Sequence, residues 1–355
     1  MTVSELSERE LVARIQQRLP AAPAWLLVGI GDDAAVVEPE RNRVEVLTVD
    51  ALVEGIHFDR AFTPPDAIGH RALAVNLSDL AAMGAAPRLA LLSMALPASL
   101  AIADFDAIAD GFAALALAHR VHVAGGNLTR SPGPLMIDVT VAGTVKRRQA
   151  LTRNAARAGD GIYVSGTLGA AVAGRAVLSR KSQVNSPTND STGDSTDDLR
   201  LATDDSRDAR ATRDALARAF LWPQPRVRLG VHLARNRAAS ACIDLSDGLA
   251  DGLHRIADAS GVGVAVDAEA LPIAPAARAL FESAGDDPVV RAMIGGDDYE
   301  LLFTVRPRTR RRLQAAVQRG GIAITRIGEC TSDRAVVLRR GGSVAPVPAG
   351  YTHFA

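Results

Sequence analysis

The residues of this chain best suited to chemistry are aspartates. Asp32 and Asp33 stand together in "GIGDDA", Asp50 closes "VLTVD" and Asp79 lies in "NLSDL". Asp244 and Asp247 bracket "DLSDG", and Asp297 and Asp298 stand together in "GGDDYE". Singly, an aspartate in such a place caps a helix or makes a turn. Together they differ from surface acids, because most follow or interrupt apolar strands and helices. Asn76 and Asp79 are one helical turn apart on a single face of an alanine- and leucine-rich stretch. Carboxylates that converge in a cleft repel one another unless cations bridge them. Oxygen ligands without a Cys or His cluster select a hard ion, with Mg²⁺ the first choice. No EF-hand fits, since the ligand spacing after Asp247 is wrong. Mg²⁺ held by scattered carboxylates has its shell completed by substrate phosphates. These residues therefore point to phosphoryl transfer or phosphate-ester chemistry.

The usual phosphate-binding motifs are missing. A P-loop needs G-K-[ST], and a protein-kinase-like site needs a strand lysine. The chain has only Lys146, in "TVKRR", and Lys181, in "SRKSQ", and neither fits. "GIGDDA" also matches G-x-G-x-x-A, with Asp50 about 20 residues on, the spacing of a dinucleotide-binding turn. That turn must open a helix whose N-terminus meets a pyrophosphate. Here β-branched residues, Pro39 and a strand follow, and two carboxylates would face the anion. The turn is a metal-binding candidate instead.

The elements that must position these acids form two series. Ser7 and Glu10 make a capping box for a first amphipathic helix ending near Pro20. "RVEVLTVD" and "RLALLSMALP" are expected as buried strands, with a helix between them from "PPDAIGH" to Gly84. A second helix over about 103–119 leads into "VHVAGGN", and "LMIDVTVAGTV" alternates as a half-exposed strand. Near Lys146 the pattern restarts with "GDGIYVSG", a glycine-rich loop and a helix, later "ACIDL", "GLADGLHRIADASG", "ELLFTV" and "AVVLRR". Strands and helices alternate throughout, an α/β (α+β) fold of two domains, 1–146 and 147–355. Between them in character is 181–212, polar, rich in aspartate and nearly free of large apolar residues. It is expected to be a disordered insertion, because it cannot bury enough surface to offset its ordering entropy.

Composition excludes several classes. The 355 residues carry a formal net charge of zero, which argues against a nucleic-acid partner. No apolar run approaches the roughly 18 residues of a membrane span. The N-terminus is polar and acidic, without the look of a signal peptide, and the two cysteines, Cys242 and Cys330, give neither a disulfide framework nor a C-x-x-C pair. A reduced cytoplasmic enzyme is the expectation.

Eight blocks in order carry a family resemblance: "GIGDDAAVV", "TVDALVEGIHFD", "LAVNLSDLAAMGA", "GGNLTR", "RNAARAGDGIYVSG", "IDLSDGL", "GGDDYEL" and "GYTHF". Through them the chain resembles the thiamine-monophosphate kinase family from about residue 5 to 354, leaving out the insertion. Single blocks are shared with the wider aminoimidazole ribonucleotide synthetase-like enzymes. The resemblance implies a two-domain α/β fold, a homodimer paired through the N-terminal domains, and ATP with several Mg²⁺ ions held at the domain interface. It assigns Asp32, Asp33, Thr48, Asp50, Asp79, Asn127, Asp244 and Asp247 to the metal ions. Gly126, Arg153 and Ser246 are assigned to ATP, and His57, Asp297 and Tyr351 to the thiamine phosphate. Three positions depart from the pattern. Asn127 stands where the family often has aspartate, Asp297 where glutamate is common, and Val49 where a second hydroxyl is frequent. The competing expectations are an ATP-dependent phosphoribosylformylglycinamidine cyclo-ligase-like enzyme, a non-catalytic nucleotide-binding relative and a Mg²⁺ phosphatase. No general base is expected, since the acceptor phosphate is already an anion.

Overall fold

The computed structural model describes residues 1–184 and 207–350. They divide into two compact units, one of 1–80 with 85–150 and one of 81–84 with 151–350. The division near 150 lies four residues beyond the expected boundary.

In the first unit, α1 (Glu8–Gln16) begins on the expected capping box. Glu10 N donates to Ser7 Oγ and Ser7 N donates to a Glu10 carboxylate oxygen. The short strands β1 (Leu26–Val28) and β2 (Val36–Val37) pair antiparallel across the "GIGDDA" turn, so no helix follows it. The chain continues through β3 (Arg43–Val53), α2 (Pro65–Ala82), β4 (Ala86–Pro97), α3 (Ile102–His119), β5 (His122–Ser131) and β6 (Met136–Lys146). The sheet order is β3-β6-β4-β5, parallel only between β4 and β5. One face buries Leu92, Met94, Ile137, Val139 and Val141, and α2 and α3 bury Ile68, Leu73, Leu77, Phe105 and Phe112. Along β3 exposure alternates, as it must on a pleated strand with one covered face. Leu47 and Val49 are 69% and 57% exposed. The expectation that this strand is buried is thus corrected: it is an edge strand, and half of its apolar residues lie on an uncovered face.

In the second unit the elements are β7 (Gly161–Ser165), α4 (Ala170–Val184), α5 (Arg207–Leu221), α6 (Val227–Arg235), β8 (Ala241–Asp244), α7 (Leu249–Ser260) and β9 (Gly263–Asp267). They are followed by α8 (Pro275–Ser283), α9 (Pro288–Ile294), β10 (Leu301–Val305), α10 (Arg310–Gly320), β11 (Ile324–Thr331), β12 (Val336–Arg340) and β13 (Ser343–Pro346). The sheet order is β13-β12-β9-β11-β7-β10-β8, antiparallel except between β9 and β12. Its core gathers Ile162, Val164, Ile243, Leu245, Val264, Leu302 and Ile327 with Leu249, Leu253 and Ile256 of α7.

The segment 181–212, expected to be disordered, is helical at both described ends, as the close of α4 and the start of α5. What the local composition does not show is the anchor that follows it. Leu216, Phe220 and Leu221 bury one face of α5, and Leu216 packs with Ala173, Ala277 and Phe281. Burying that face offsets the ordering of the polar first turn. Residues 185–206 lie outside the described residues.

Candidate functional site

The first unit sets its acids on two elements and one turn. Register puts Thr48, Asp50 and Leu52 on the same face of β3, the face that carries Val139, Val141 and Leu92 and is covered by the helices. From α2, Asp79 meets that face, and its carboxylate accepts a short hydrogen bond from the Thr48 hydroxyl. Asn76, one turn earlier on α2, is fully buried. Its Nδ2 donates to the Ala72 carbonyl, while its side-chain oxygen is buried with no hydrogen-bond partner. Asp32 and Asp33 are exposed on their turn, where Asp33 N donates to Asp32 Oδ1 at 2.9 Å. His57 sits in the turn after β3, its Nδ1 accepting from Val53 N at 3.1 Å.

Gly126 and Asn127 lie in β5, at the opposite edge of the sheet from β3. A Cβ on Gly126 would come within 1.8 Å of the Leu92 carbonyl oxygen, so only glycine lets the two strands approach here. Asn127 is exposed and opposite Ser93. With two strands between the edges, Asp50 and Asn127 are separated by about 14 Å at ordinary strand spacing.

The second unit gathers its acids by backbone pairing. Asp244 ends β8 opposite Leu301 of β10. Beyond the strands the pairing continues irregularly: Leu245 N donates to the Glu300 carbonyl, Tyr299 N to that of Leu245, and Asp297 N to that of Ser246. Asp244, Ser246, Asp247 and Asp297 are therefore brought together on two adjacent segments. Asp297 and Tyr299 both adopt positive φ, 67° and 48°, a conformation uncommon without glycine. Asp247 is also paired with Arg255 at 3.4 Å. Arg153, expected at ATP, is exposed, and its carbonyl accepts from Ser260 Oγ at 2.8 Å. Tyr351 lies outside the described residues.

Glu300, Arg226 and Ser165 were not singled out from the sequence. Glu300 is almost completely buried and accepts from Arg226 Nε at 2.7 Å, from Arg226 Nη2 at 2.5 Å and from Ser165 Oγ at 2.5 Å. Ser165 Oγ in turn accepts from Leu301 N. This bidentate clamp locks the end of the "GGDDYE" loop where β10 begins. Gly166, at φ 57°, leaves room for it, since a Cβ there would lie 2.0 Å from Glu300 Oε1. Asp298 accepts from Gly169 N at 2.9 Å and from Ala171 N at 3.4 Å, at the start of α4. Burial pushes the Asp298 carboxyl up to about 8, against those two amides, with Glu300 and Asp297 adding to the rise. The glycine-rich loop before α4 thus turns its amides to a protein carboxylate. Glu300 could have been noticed as the last acid of "GGDDYE". Arg226 in "PQPRVRLG" and the cap made across more than 120 residues carry no local signal.

Among the described residues no three His, Cys, Asp or Glu side chains gather as a closed metal cage. The donors that do occur are oxygens: Thr48 with Asp79, the unpartnered Asn76 oxygen, and the Asp244 and Asp247 pair. Mg²⁺ suits such a set, because it is bound through one or two carboxylates with substrate phosphates and water completing its shell. Cys242 and Cys330 are free and buried. Burial holds both thiols well above the usual thiol range, Cys330 at about 12, which leaves them inert at neutral pH.

Residues 31–145 match the family model of the AIR synthase related protein, N-terminal domain, and residues 157–340 match that of the C-terminal domain. The chain is 36% identical to the thiamine-monophosphate kinase of Salmonella typhimurium over 98% of both chains. It superposes on the thiamine-monophosphate kinase of Stenotrophomonas maltophilia with a TM-score of 0.77, at 38% identity, covering 96% of this chain and 98% of the other. A solved ThiL protein complexed with AMPPCP and TMP is similar at 29% identity and a TM-score of 0.71, with 100% and 99% of the two chains covered.

Proposed function

Since the chain belongs to the thiamine-monophosphate kinase family of AIR synthase related proteins, we infer that it phosphorylates thiamine monophosphate with ATP, giving thiamine diphosphate and ADP. The observation that carries this reading is the end-to-end match to such kinases, with every described acid of the expected set on a strand, a helix or a turn.

The acceptor phosphate is largely dianionic at neutral pH and can attack the γ-phosphorus without a base. That agrees with a site rich in carboxylates and poor in histidine–acid pairs. The chain's task is alignment and charge control. Thr48, Asp50 and Asp79 of the first unit, with Asp32, Asp33 and Asn127, are the residues that would hold Mg²⁺, and in the second unit Asp244 and Asp247. Bound Mg²⁺ supplies charge neutralisation between two mutually repelling phosphates. The Thr48 hydroxyl orients the Asp79 carboxylate. Gly126, Arg153 and Ser246 would contact ATP, the latter two offering donors to its phosphates. His57, Asp297 and Tyr351 would contact the thiamine phosphate. The clamp of Arg226 on Glu300 fixes the loop that bears Asp297.

A homodimer belongs to the same reading. The uncovered face of the first sheet exposes Leu47, Val49, Leu91 and Met136, an apolar patch that a second copy would cover. Asp50 and Asn127, at the two edges of that sheet, are too far apart within one chain to share an ion, whereas edges of two copies could meet. Among the described residues no helix is long and apolar enough to cross a membrane, and the free, buried cysteines suit a reducing cytoplasm.

The test mixes purified protein, ATP, Mg²⁺ and thiamine monophosphate and follows ADP and thiamine diphosphate together by chromatography. Equal formation of both, abolished by EDTA and absent with unphosphorylated thiamine, is expected. ATP binding without either product would overturn the catalytic reading.

A further inference from the structure

Away from the aspartates, the second unit contains a cleft of about 460 Å³ lined by Arg237, Arg306, Arg308 and Arg312 with Ser240 and Thr309. The four arginines come from three places: the turn after α6, the segment after β10, and the first turn of α10. Among the described residues none of the four is paired with a carboxylate, although most other arginine clusters in the chain are. The two hydroxyls of the cleft are already engaged. Ser240 Oγ donates to Asp160 Oδ2 at 2.6 Å, and Thr309 Oγ1 donates to the carbonyls of Ala238 and Arg306. Arg306 reaches the Ala155 carbonyl at a long 3.4 Å through one nitrogen, and its Nε is buried with no partner at all.

Electrostatics sharpens the point. A helix N-terminus carries partial positive charge and is normally matched with acids. The first turn of α10 holds Arg310, Arg311 and Arg312 and no acid, and the Thr309 hydroxyl is turned away from its amides. Positive side chains are thus stacked on the positive end of a helix beside three further guanidinium groups. Such an arrangement is self-repelling until an anion enters. Guanidinium groups bind phosphate oxygens in bidentate pairs, which makes phosphate the anion best matched to this lining. Four charges match a diphosphate or triphosphate better than a single inorganic ion. A volume of about 460 Å³ falls in the range of small-molecule sites, roughly 300–1,000 Å³.

We propose that this cleft is a separate binding site for the phosphate groups of a small di- or triphosphorylated metabolite. Within the second unit it lies at the opposite end of β8 from Asp244 and draws its affinity from arginine, so it binds without metal. The shared group is a diphosphate: pyrophosphate itself, a nucleoside diphosphate and thiamine diphosphate all present it to the same four arginines.

The experiment is titration calorimetry on the full chain in EDTA, where the carboxylates repel anions and the arginine cleft does not. Pyrophosphate, ADP, thiamine diphosphate and a single-stranded RNA oligonucleotide are the probes. Binding of at least one phosphorylated small molecule is expected, weakened tenfold or more in the double variant R308Q/R312Q. Both positions are exposed, so folding is preserved, and kinase turnover with ATP and Mg²⁺ should stay within twofold. Arg306→Gln gives a second measure of the same loss. Tighter binding of ADP or thiamine diphosphate than of pyrophosphate would show that the organic part also occupies the cleft, and equal affinities that the phosphates alone are held. Equal affinity in wild type and the double variant, or no heat with any phosphorylated probe, overturns the proposal. RNA bound tenfold more tightly than ADP, and lost in the same variant, overturns the small-molecule assignment in favour of nucleic acid.

Discussion

In the first unit Asp32 and Asp33 stand on an exposed turn, and Asp79 is steadied by one hydroxyl from Thr48. In the second unit Asp244, Ser246, Asp247 and Asp297 are tied by consecutive main-chain hydrogen bonds and braced by the Arg226–Glu300–Ser165 clamp. The same residue type is thus held by side chains in one region and by backbone in the other. On the exposed turn the Asp33 side chain keeps room to adjust when a ligand binds. Backbone placement fixes the second group in advance, and the ordering cost is met during folding.

The comparison breaks most sharply at the acids themselves. Asp50→Asn and Asp244→Asn should each lower kcat by roughly 10²–10³, the loss typical of one electrostatic partner of a transition state. Excess Mg²⁺ should recover part of the Asp50→Asn loss and little of the other, which a coupled ADP assay across a Mg²⁺ titration would show. Near-wild-type turnover of both variants at limiting Mg²⁺ would end the metal assignment. Next in size is the clamp. Glu300→Ala leaves Arg226 without its partner and should cost about 3 kcal/mol in urea unfolding, the low end for a buried pair because Arg226 keeps some solvent access. Replacing both residues, as Arg226→Met with Glu300→Leu, should restore most of that stability without restoring the KM for thiamine monophosphate.

Thr48→Val tests the softer region. It keeps the side-chain shape and removes the hydroxyl, so about a tenfold weaker Mg²⁺ activation is expected, with stability changed by about 1 kcal/mol or less. The last test concerns Asp298. Its folded carboxyl titrates at about 8 against 3.8 for the ordinary group, so between those values the folded state keeps a proton that the unfolded state has released. Stability from this group therefore falls as pH rises through that window. Asp298→Asn should flatten the decline between pH 5 and 8, measured by urea unfolding in EDTA. An unchanged slope would show that Asp298 is ionised at its cap.

Much of the fold was legible where one local rule decides the outcome. Ser7 and Glu10 announce α1, the apolar runs announce β3, β4, β8 and β10, and Pro39 rules out a helix after "GIGDDA". The acids were legible as a set because they interrupt apolar segments. Their grouping was not, since the pairing of 245–247 with 297–300 joins segments some fifty residues apart. Arg226 and the Asp298 cap were invisible for the same reason. The start of α5 was misjudged because its polar first turn says nothing of Phe220, which holds the helix down.

The place of β7 in its sheet has a consequence for synthesis. It is the first strand of the second unit to leave the ribosome, and its two neighbours, β10 and β11, are among the last. At about 5–20 residues per second, residues 161–165 wait on the order of ten to thirty seconds before 301–331 emerge to pair with them. The first unit is complete long before that, as its strands all lie within residues 26–146. The nascent chain therefore carries a finished domain ahead of a strand with both edges open, the interval in which unpaired edges are most exposed to wrong pairing.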